Sequence, residues 1–298
     1  MIIQTAGERA FRTFSAAVMS LVTLTAFLPF ILILVSSFTD EKILVSKGFG
    51  FFPEKLSVDA YIYMFGNITT FARAYGVSIF VTCVGTALSL LITTMLAYPM
   101  SRGDFKYRNV LAFAVFFTML FRGGVVPSYI MWSKYFSIKD TLSALIFPNY
   151  LMNGFNVLLV RNYFKHSVPF DLVESAQLDG ASEIKIYYKI MLPLSIPVMA
   201  TIGLFTALMY WNDWINALYY ISKPQYYGIQ NLLIRLMNNI QYLKSSEASS
   251  MLGSNVMELP SNAVRMAMAV AGVLPIVIVL PFLQKYLTKG VVIGAVKG

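Results

Sequence analysis

Charge is scarce in this chain, and cysteine and histidine are almost absent. Charged residues make up 12% of its 298 positions against 57% hydrophobic ones, and the mean hydropathy is +0.67. A soluble domain, with about a quarter of its residues charged, is excluded by that balance. The lone cysteine, Cys83, rules out an intrachain disulfide and leaves the redox compartment open. It lies inside a hydrophobic run, where packing is its expected role. The lone histidine, His166, falls in a polar loop, where a surface position is expected. No H-E-x-x-H, Cys/His metal spacing or G-x-S-x-G occurs, so neither a metal site nor an enzyme is expected. No G-x-x-x-x-G-K-[ST] occurs either, so the chain lacks the backbone cradle and lysine that hold nucleotide phosphates.

What the chain has instead is length of apolar run. About 20 apolar residues cross roughly 30 Å of hydrocarbon, and six stretches qualify, at about 15–37, 75–100, 109–132, 141–160, 194–221 and 265–284. The short alternating segments of a membrane β-barrel do not appear. The fold expected is an all-α membrane protein with six transmembrane helices, a single transmembrane domain over 1–298. The first run follows Arg9 and Arg12 but is long for a signal peptide and has no clear A-x-A site, so it reads as a retained span. The net charge of +9 is dispersed rather than clustered, which argues against nucleic acid. Topology accounts for it better. With the N-terminus inside, the inner segments hold 12 Lys/Arg in 68 residues and the outer ones 9 in 88, favouring cytoplasmic N- and C-termini.

Between runs, SRGDFKYR (101–108) is a short basic turn that makes spans two and three a hairpin. GFGFFP (48–53) marks an ordered outer segment, and QNLLIRLM (230–237) a short helix lying outside. The most informative interruption is PFDLVESAQLDGASEIKIYYKIMLP, 169–193. Asp171 and Glu174 form a capping-box-like start behind Pro169. Asp179-Gly180 is a turn in which glycine reaches positive φ without steric cost. Ser182 caps a second helix that must stop near Pro193. A helix-turn-helix is predicted at the cytoplasmic surface between spans four and five.

The spacing Glu174-Ser175-Ala176, three residues, Gly180, nine residues, Ile190-x-Leu192-Pro193 resembles the EAA loop of permease subunits in binding-protein-dependent ABC importers, with Ser175 in place of the first alanine. GGVVP (123–127), YWNDWINALYY (210–220) and LPFLQKYLTKGVVIGAVKG (280–298) are similar to carbohydrate importers of the maltose type, nearest the branch that imports large plant or algal oligosaccharides. The resemblance implies a bacterial cytoplasmic membrane, a homologous permease partner in a heterodimer, two cytoplasmic ATPase subunits that carry ATP and magnesium, and an extracellular solute-binding protein. It implies no cofactor in this chain. Carried over, Glu174, Ser175, Ala176, Asp179, Gly180 and Pro193 belong to the ATPase-coupling loop. The glycine-rich tail, a poor helix by composition, places Gly294, Ala295 and Gly298 at the ATPase interface, whereas the residues alone equally allow a tail lying on membrane lipid.

Polar residues inside spans are costly and so worth naming. Asn149, Asn153 and Asn156 are spaced for one face of span four, either lining a sugar path or hydrogen-bonding between helices. Tyr210, Trp211 and Trp214 either stack on sugar rings or belong to an interfacial aromatic belt. Arg122 and Asp213 either pair with each other or leave Arg122 to meet an acidic sugar through its bidentate guanidinium. The rival function, an ion-coupled secondary transporter, calls for buried carboxylates near the midplane, and Asp213 is expected near the outer edge.

Overall fold

A computed structural model describes residues 6–243 and 261–295. Among them the structure is helical, with a single isolated bridge, Thr39 to Leu56, in place of any sheet. Two compact units partition the chain, Met1–Ile68 with Arg235–Leu274 and Thr69–Ile234 with Pro275–Gly298.

In the first unit, the helix Ala6–Ser37 buries none of its most apolar window. An apolar helix left uncovered all round has lipid or another chain as its neighbour. The segment after it is ordered, as its composition predicts. Asp40 caps Glu41–Lys47, accepting from the Lys42 backbone at 3.0 Å, and it also pairs with Lys55 at 2.6 Å. The Lys55 hydrogen bond holds the Asp40 carboxyl below its usual range. Glu41 reaches the start of the helix Ser261–Ala295, where its carboxylate accepts from the backbone of Asn262 at 3.0 Å and of Ala263 at 2.9 Å. An acidic group there satisfies orphan N–H donors and opposes the helix dipole.

The second unit is organised along Ile68–Ser101, a 34-residue helix. Its buried stripe runs Phe71, Ala74, Ser78, Val81, Gly85, Ser89 and Thr93, mostly small residues at three- and four-residue steps, which let neighbouring backbones come close. Cys83 lies off this stripe and is exposed, so packing within the chain is not its role. At Gly85 the ring of Tyr210 fills the place of a side chain, since an added Cβ falls 2.6 Å from it. At Gly76, on the same helix, an added Cβ meets nothing within 4 Å. Gly85→Ala is therefore expected to lower stability by about 1–3 kcal/mol through overpacking. Gly76→Ala is neutral or stabilises by up to about 1 kcal/mol through helix propensity. Melting temperatures of the two purified variants in detergent, moving in opposite directions, check this.

Three helices are long and apolar enough to cross a membrane, Ala10–Ser37, Ile68–Ser101 and Ser261–Phe282, and two bent pairs raise the number to five if each crosses once. The predicted third run is broken into Arg108–Leu120 and Val125–Tyr135, bent by 113°. Gly124, at φ +84°, opens the second piece. The predicted fifth run ends at Trp211 and resumes as Ile215–Tyr220. The predicted fourth run departs most from expectation. It contains only Ser143–Ile146 and the first half of Gly154–His166, because Pro148 and a left-handed Asn149 (φ +68°) interrupt it and Asn153 starts a new helix. Six continuous spans are thus not what the described residues form. The helix Ser261–Ala295 also runs through Gly290 and Gly294, although the composition of the tail predicts a poor helix. Elongating an existing helix carries no nucleation cost, so isolated glycines do not end it. Gly294 and Ala295 lie in its last turn, and Gly298 lies outside the described residues.

Candidate functional site

The 169–193 stretch folds as a helix-turn-helix. Phe170–Leu178 is followed by Gly180 at φ +76°, and Ser182 then caps Glu183–Leu194 by accepting from the Lys185 backbone. The turn, the second cap and the stop near Pro193 match the sequence reading, and one detail does not. The capping box does not form, because Pro169 is the N-cap and Asp171 already lies in the first turn. The second helix stops at Leu194, one residue past Pro193, with a π-helical stretch, Tyr187–Met191, just before the proline. A π turn shifts the backbone pairing and relaxes the clash that a proline makes in a regular helix.

Packing divides the first helix into two faces. Val173 is buried and Ala176 packs against the same core, joined by Ile186, Tyr187 and Met191 from the second helix and by Ala97, Tyr98 and Met100 of the long helix. Glu174, Ser175, Leu178, Asp179 and Gly180 are exposed, Leu178 at 85%. Ala176 thus faces inward, and the outward face is Glu174, Ser175 and the turn.

One carboxylate ties this loop to its surroundings. Glu183 accepts from the Tyr98 hydroxyl, from Gln177 Nε2 at 2.9 Å and from Arg102 Nη2 at 3.4 Å. Arg102, buried at 6% exposure, forks onto Asp104 at 3.0 and 2.9 Å. That hydrogen bonding holds the Asp104 carboxyl below its usual range, against a smaller upward push from burial. Thr94 and Tyr187 share a hydrogen bond of 2.7 Å one turn further along the long helix. Both loop helices and the basic turn therefore converge on Glu183, which the sequence reading did not single out. Its partner Tyr98 lies 85 positions away, so no local pattern reveals the link.

A second site lies at the break after Leu120. A cavity of about 760 Å³ is lined by Arg122, Ser128, Asn149, Asn153, Tyr219 and Tyr220, with Tyr150, Met119, Met152, Phe155 and Met209 among its other walls. Arg122 and Asp213 do not pair. Asp213 instead caps Ile215–Tyr220, accepting from the backbones of Ile215 at 3.0 Å and Asn216 at 3.1 Å, with Tyr150 at 3.4 Å. Asn149 donates to Asn216 at 2.7 Å, Asn153 caps its helix through the Phe155 and Asn156 backbones, and Asn156 is buried. The three asparagines do not share one helical face, because the first two precede the helix. Tyr210 and Trp211 are buried at 3% and 7%, the first donating to the Ile146 carbonyl at 2.8 Å, so neither stands in the cavity or in an interfacial belt. Trp214 is partly exposed at the head of Ile215–Tyr220. The aromatics that reach the cavity are Tyr150, Phe155, Tyr219 and Tyr220, the last two brought there by the break at 212–214.

Residues 84–293 match the family described as binding-protein-dependent transport system inner membrane component. The chain belongs to that family. Among relatives of this inner membrane component, Protein LplC of Bacillus subtilis (strain 168) is 41% identical over 271 residues, covering 91% of this chain and 89% of LplC. The polygalacturonan/rhamnogalacturonan transport system permease protein YtcP of the same organism is 38% identical over 271 residues, covering 91% and 92%. A solved chain of a bacterial ABC transporter involved in the import of the acidic polysaccharide alginate is 28% identical. It superposes with a TM-score of 0.77 over 96% of this chain and 99% of that one. Transport by a permease, rather than catalysis by this chain, is the family's function.

Proposed function

We propose that this inner membrane component is one of two homologous permease subunits of an ATP-driven oligosaccharide importer, working with two cytoplasmic ATPase subunits and an extracellular solute-binding protein. Oligosaccharide as cargo is supported by the saccharides named for YtcP and for the alginate transporter. The observation that carries the coupling role is the two-faced helix Phe170–Leu178. Its inner face is cemented to the membrane core, while Glu174, Ser175, Leu178 and Asp179 are left for a partner. In this reading the ATPase holds the outer face, and its closure is passed through Glu183 and Tyr187 to the long helix Ile68–Ser101, giving alternating access. The loop and both termini then lie on the cytoplasmic side, with Gly294, Ala295 and Gly298 as candidate contacts of the tail with the ATPases. The ion-coupled alternative calls for a buried acid free to take a cation, whereas Asp213 engages its Oδ1 as a helix cap and the relatives named above include an ABC transporter and a saccharide transport permease.

Affinity purification of the tagged permease from its native host tests the assignment. A stoichiometric ATPase and a second permease are expected to co-purify, and the reconstituted complex is expected to take up oligosaccharide only with ATP. Uptake driven by an ion gradient without any ATPase would refute the reading.

A further inference from the structure

We propose that Arg122 is a carboxylate-reading residue in the transport path, selecting acid-bearing oligosaccharides. This deepens the importer reading above and rests on it. Arg122 stands in the non-helical break between Leu120 and Val125, within a bent pair of helices apolar enough to count as one span. Arg122 is exposed, and a guanidinium left between apolar helices is costly within a bilayer unless it has a function or a partner. Among the described residues it makes no ion pair. The four pairs present there involve Lys47, Lys55 and Arg102 only. The acid that the sequence offers it, Asp213, makes no ion pair there either: its Oδ1 accepts from the backbone of Ile215 and Asn216 and from Tyr150.

The cavity contributes the rest of the argument. Among the described residues Arg122 is the only charged one along its wall, so the partly open space presents a positive charge; Asp213, which holds Tyr150 and Ile215 of that wall, does not itself line it. Its volume, about 760 Å³, falls in the range of small-ligand sites, about 300–1,000 Å³. The other polar groups, among them Ser128, Asn149, Asn153, Tyr219 and Tyr220, are neutral hydrogen-bonding groups suited to hydroxyls, and the tyrosine rings offer apolar faces for sugar C–H groups. A guanidinium binds a carboxylate through two parallel N–H···O bonds, which neither an ammonium nor a neutral amide reproduces. Gly123 and Gly124 carry no side chain, and an added Cβ at either meets nothing within 4 Å, so the wall beside Arg122 is open. The chemical class that completes this site is an anionic sugar unit such as a uronate.

The complete complex, reconstituted in liposomes with its binding protein, is given two probes of equal length, trigalacturonate and its fully methyl-esterified, neutral form. For each probe the rate with the variant is divided by the rate with the unchanged complex. Arg122→Gln is expected to lower trigalacturonate uptake about tenfold or more, the scale of a lost charge-assisted hydrogen bond, and uptake of the ester less than about twofold. Arg122→Lys, which keeps the charge but loses the fork, is expected to fall between. Equal losses for both probes, or none, overturn the proposal while leaving the importer reading standing, as does an unchanged complex that imports the ester but not the acid. Absence of any ATP-dependent saccharide uptake by the unchanged complex removes both. The measurements are repeated in neutral and in anionic lipid. An Arg122→Gln defect that appears only in anionic lipid assigns the guanidinium to a lipid headgroup and overturns the sugar assignment.

Discussion

Gly180→Val is expected to separate ATP hydrolysis from transport while leaving the protein in the membrane. Gly180 sits at φ +76°, a conformation that a β-branched residue adopts only at a cost of about 1–3 kcal/mol. The cost is purely one of backbone, because a Cβ there meets nothing within 4 Å. It is also local. The turn closes through the Ala181 backbone N–H, which donates to Ala176 at 2.9 Å, and through Gly180 donating to Gln177, also at 2.9 Å. A strained turn moves the exposed face of Phe170–Leu178 relative to the core-bound Glu183–Leu194, and a shift of 1–3 kcal/mol changes the population of the working geometry by roughly 5- to 150-fold. Uptake in proteoliposomes should fall by about tenfold or more, with membrane abundance unchanged. Gly180→Asn is the control, because asparagine tolerates the left-handed region. Its uptake should stay within about twofold of the unchanged protein. Normal transport by the valine variant would mean that the turn's geometry is not what carries the signal.

The turn is legible in the sequence because its chemistry is local. Asp179-Gly180 and Ser182 fix positive φ and a cap within four residues. The start of the same loop misleads for an equally local reason. Asp171 and Glu174 have capping-box spacing, but the helix begins one residue before Asp171, so neither side chain is at the cap. Hydropathy finds the apolar runs and misses their breaks, because averaging over about 20 residues does not register four. The residues responsible are nonetheless visible. Gly123-Gly124 releases the chain after Arg122, Pro148-Asn149 interrupts the fourth run, and the fifth stops at Trp211 and restarts where Asp213 caps the helix Ile215–Tyr220. Those breaks decide the candidate path. Tyr210 and Trp211 close the helix Ile196–Trp211 in the core, and the break after them brings Tyr219 and Tyr220 to the cavity. What no reading of one sequence supplies is pairing at long separation, and Glu183 with Tyr98 is the plainest instance.

Glu183→Ala is accordingly expected to weaken coupling on a scale comparable to the glycine variant. Glu183 is itself about half exposed, with 55% of its side chain accessible, and a surface ion pair of that kind contributes little alone. What matters is the buried side. Tyr98 is 9% exposed and Arg102 6%, and removing Glu183 takes away the Tyr98 hydroxyl's acceptor in the interior. An orphaned buried donor costs about 1–3 kcal/mol. Arg102 keeps Asp104, so the basic turn holds together, and the loss falls on the link between the long helix and the two loop helices. The quantity to measure is sugar imported per ATP hydrolysed, which a merely unstable protein would not change in its surviving fraction. It should drop by about fivefold or more in Glu183→Ala and less in Glu183→Gln, which retains an acceptor oxygen for Tyr98. Tyr98→Phe should reproduce part of the loss, and adding it to Glu183→Ala should cost little more, because both changes break one interaction. Fully additive losses would place the two residues in separate roles and dissolve the proposed link.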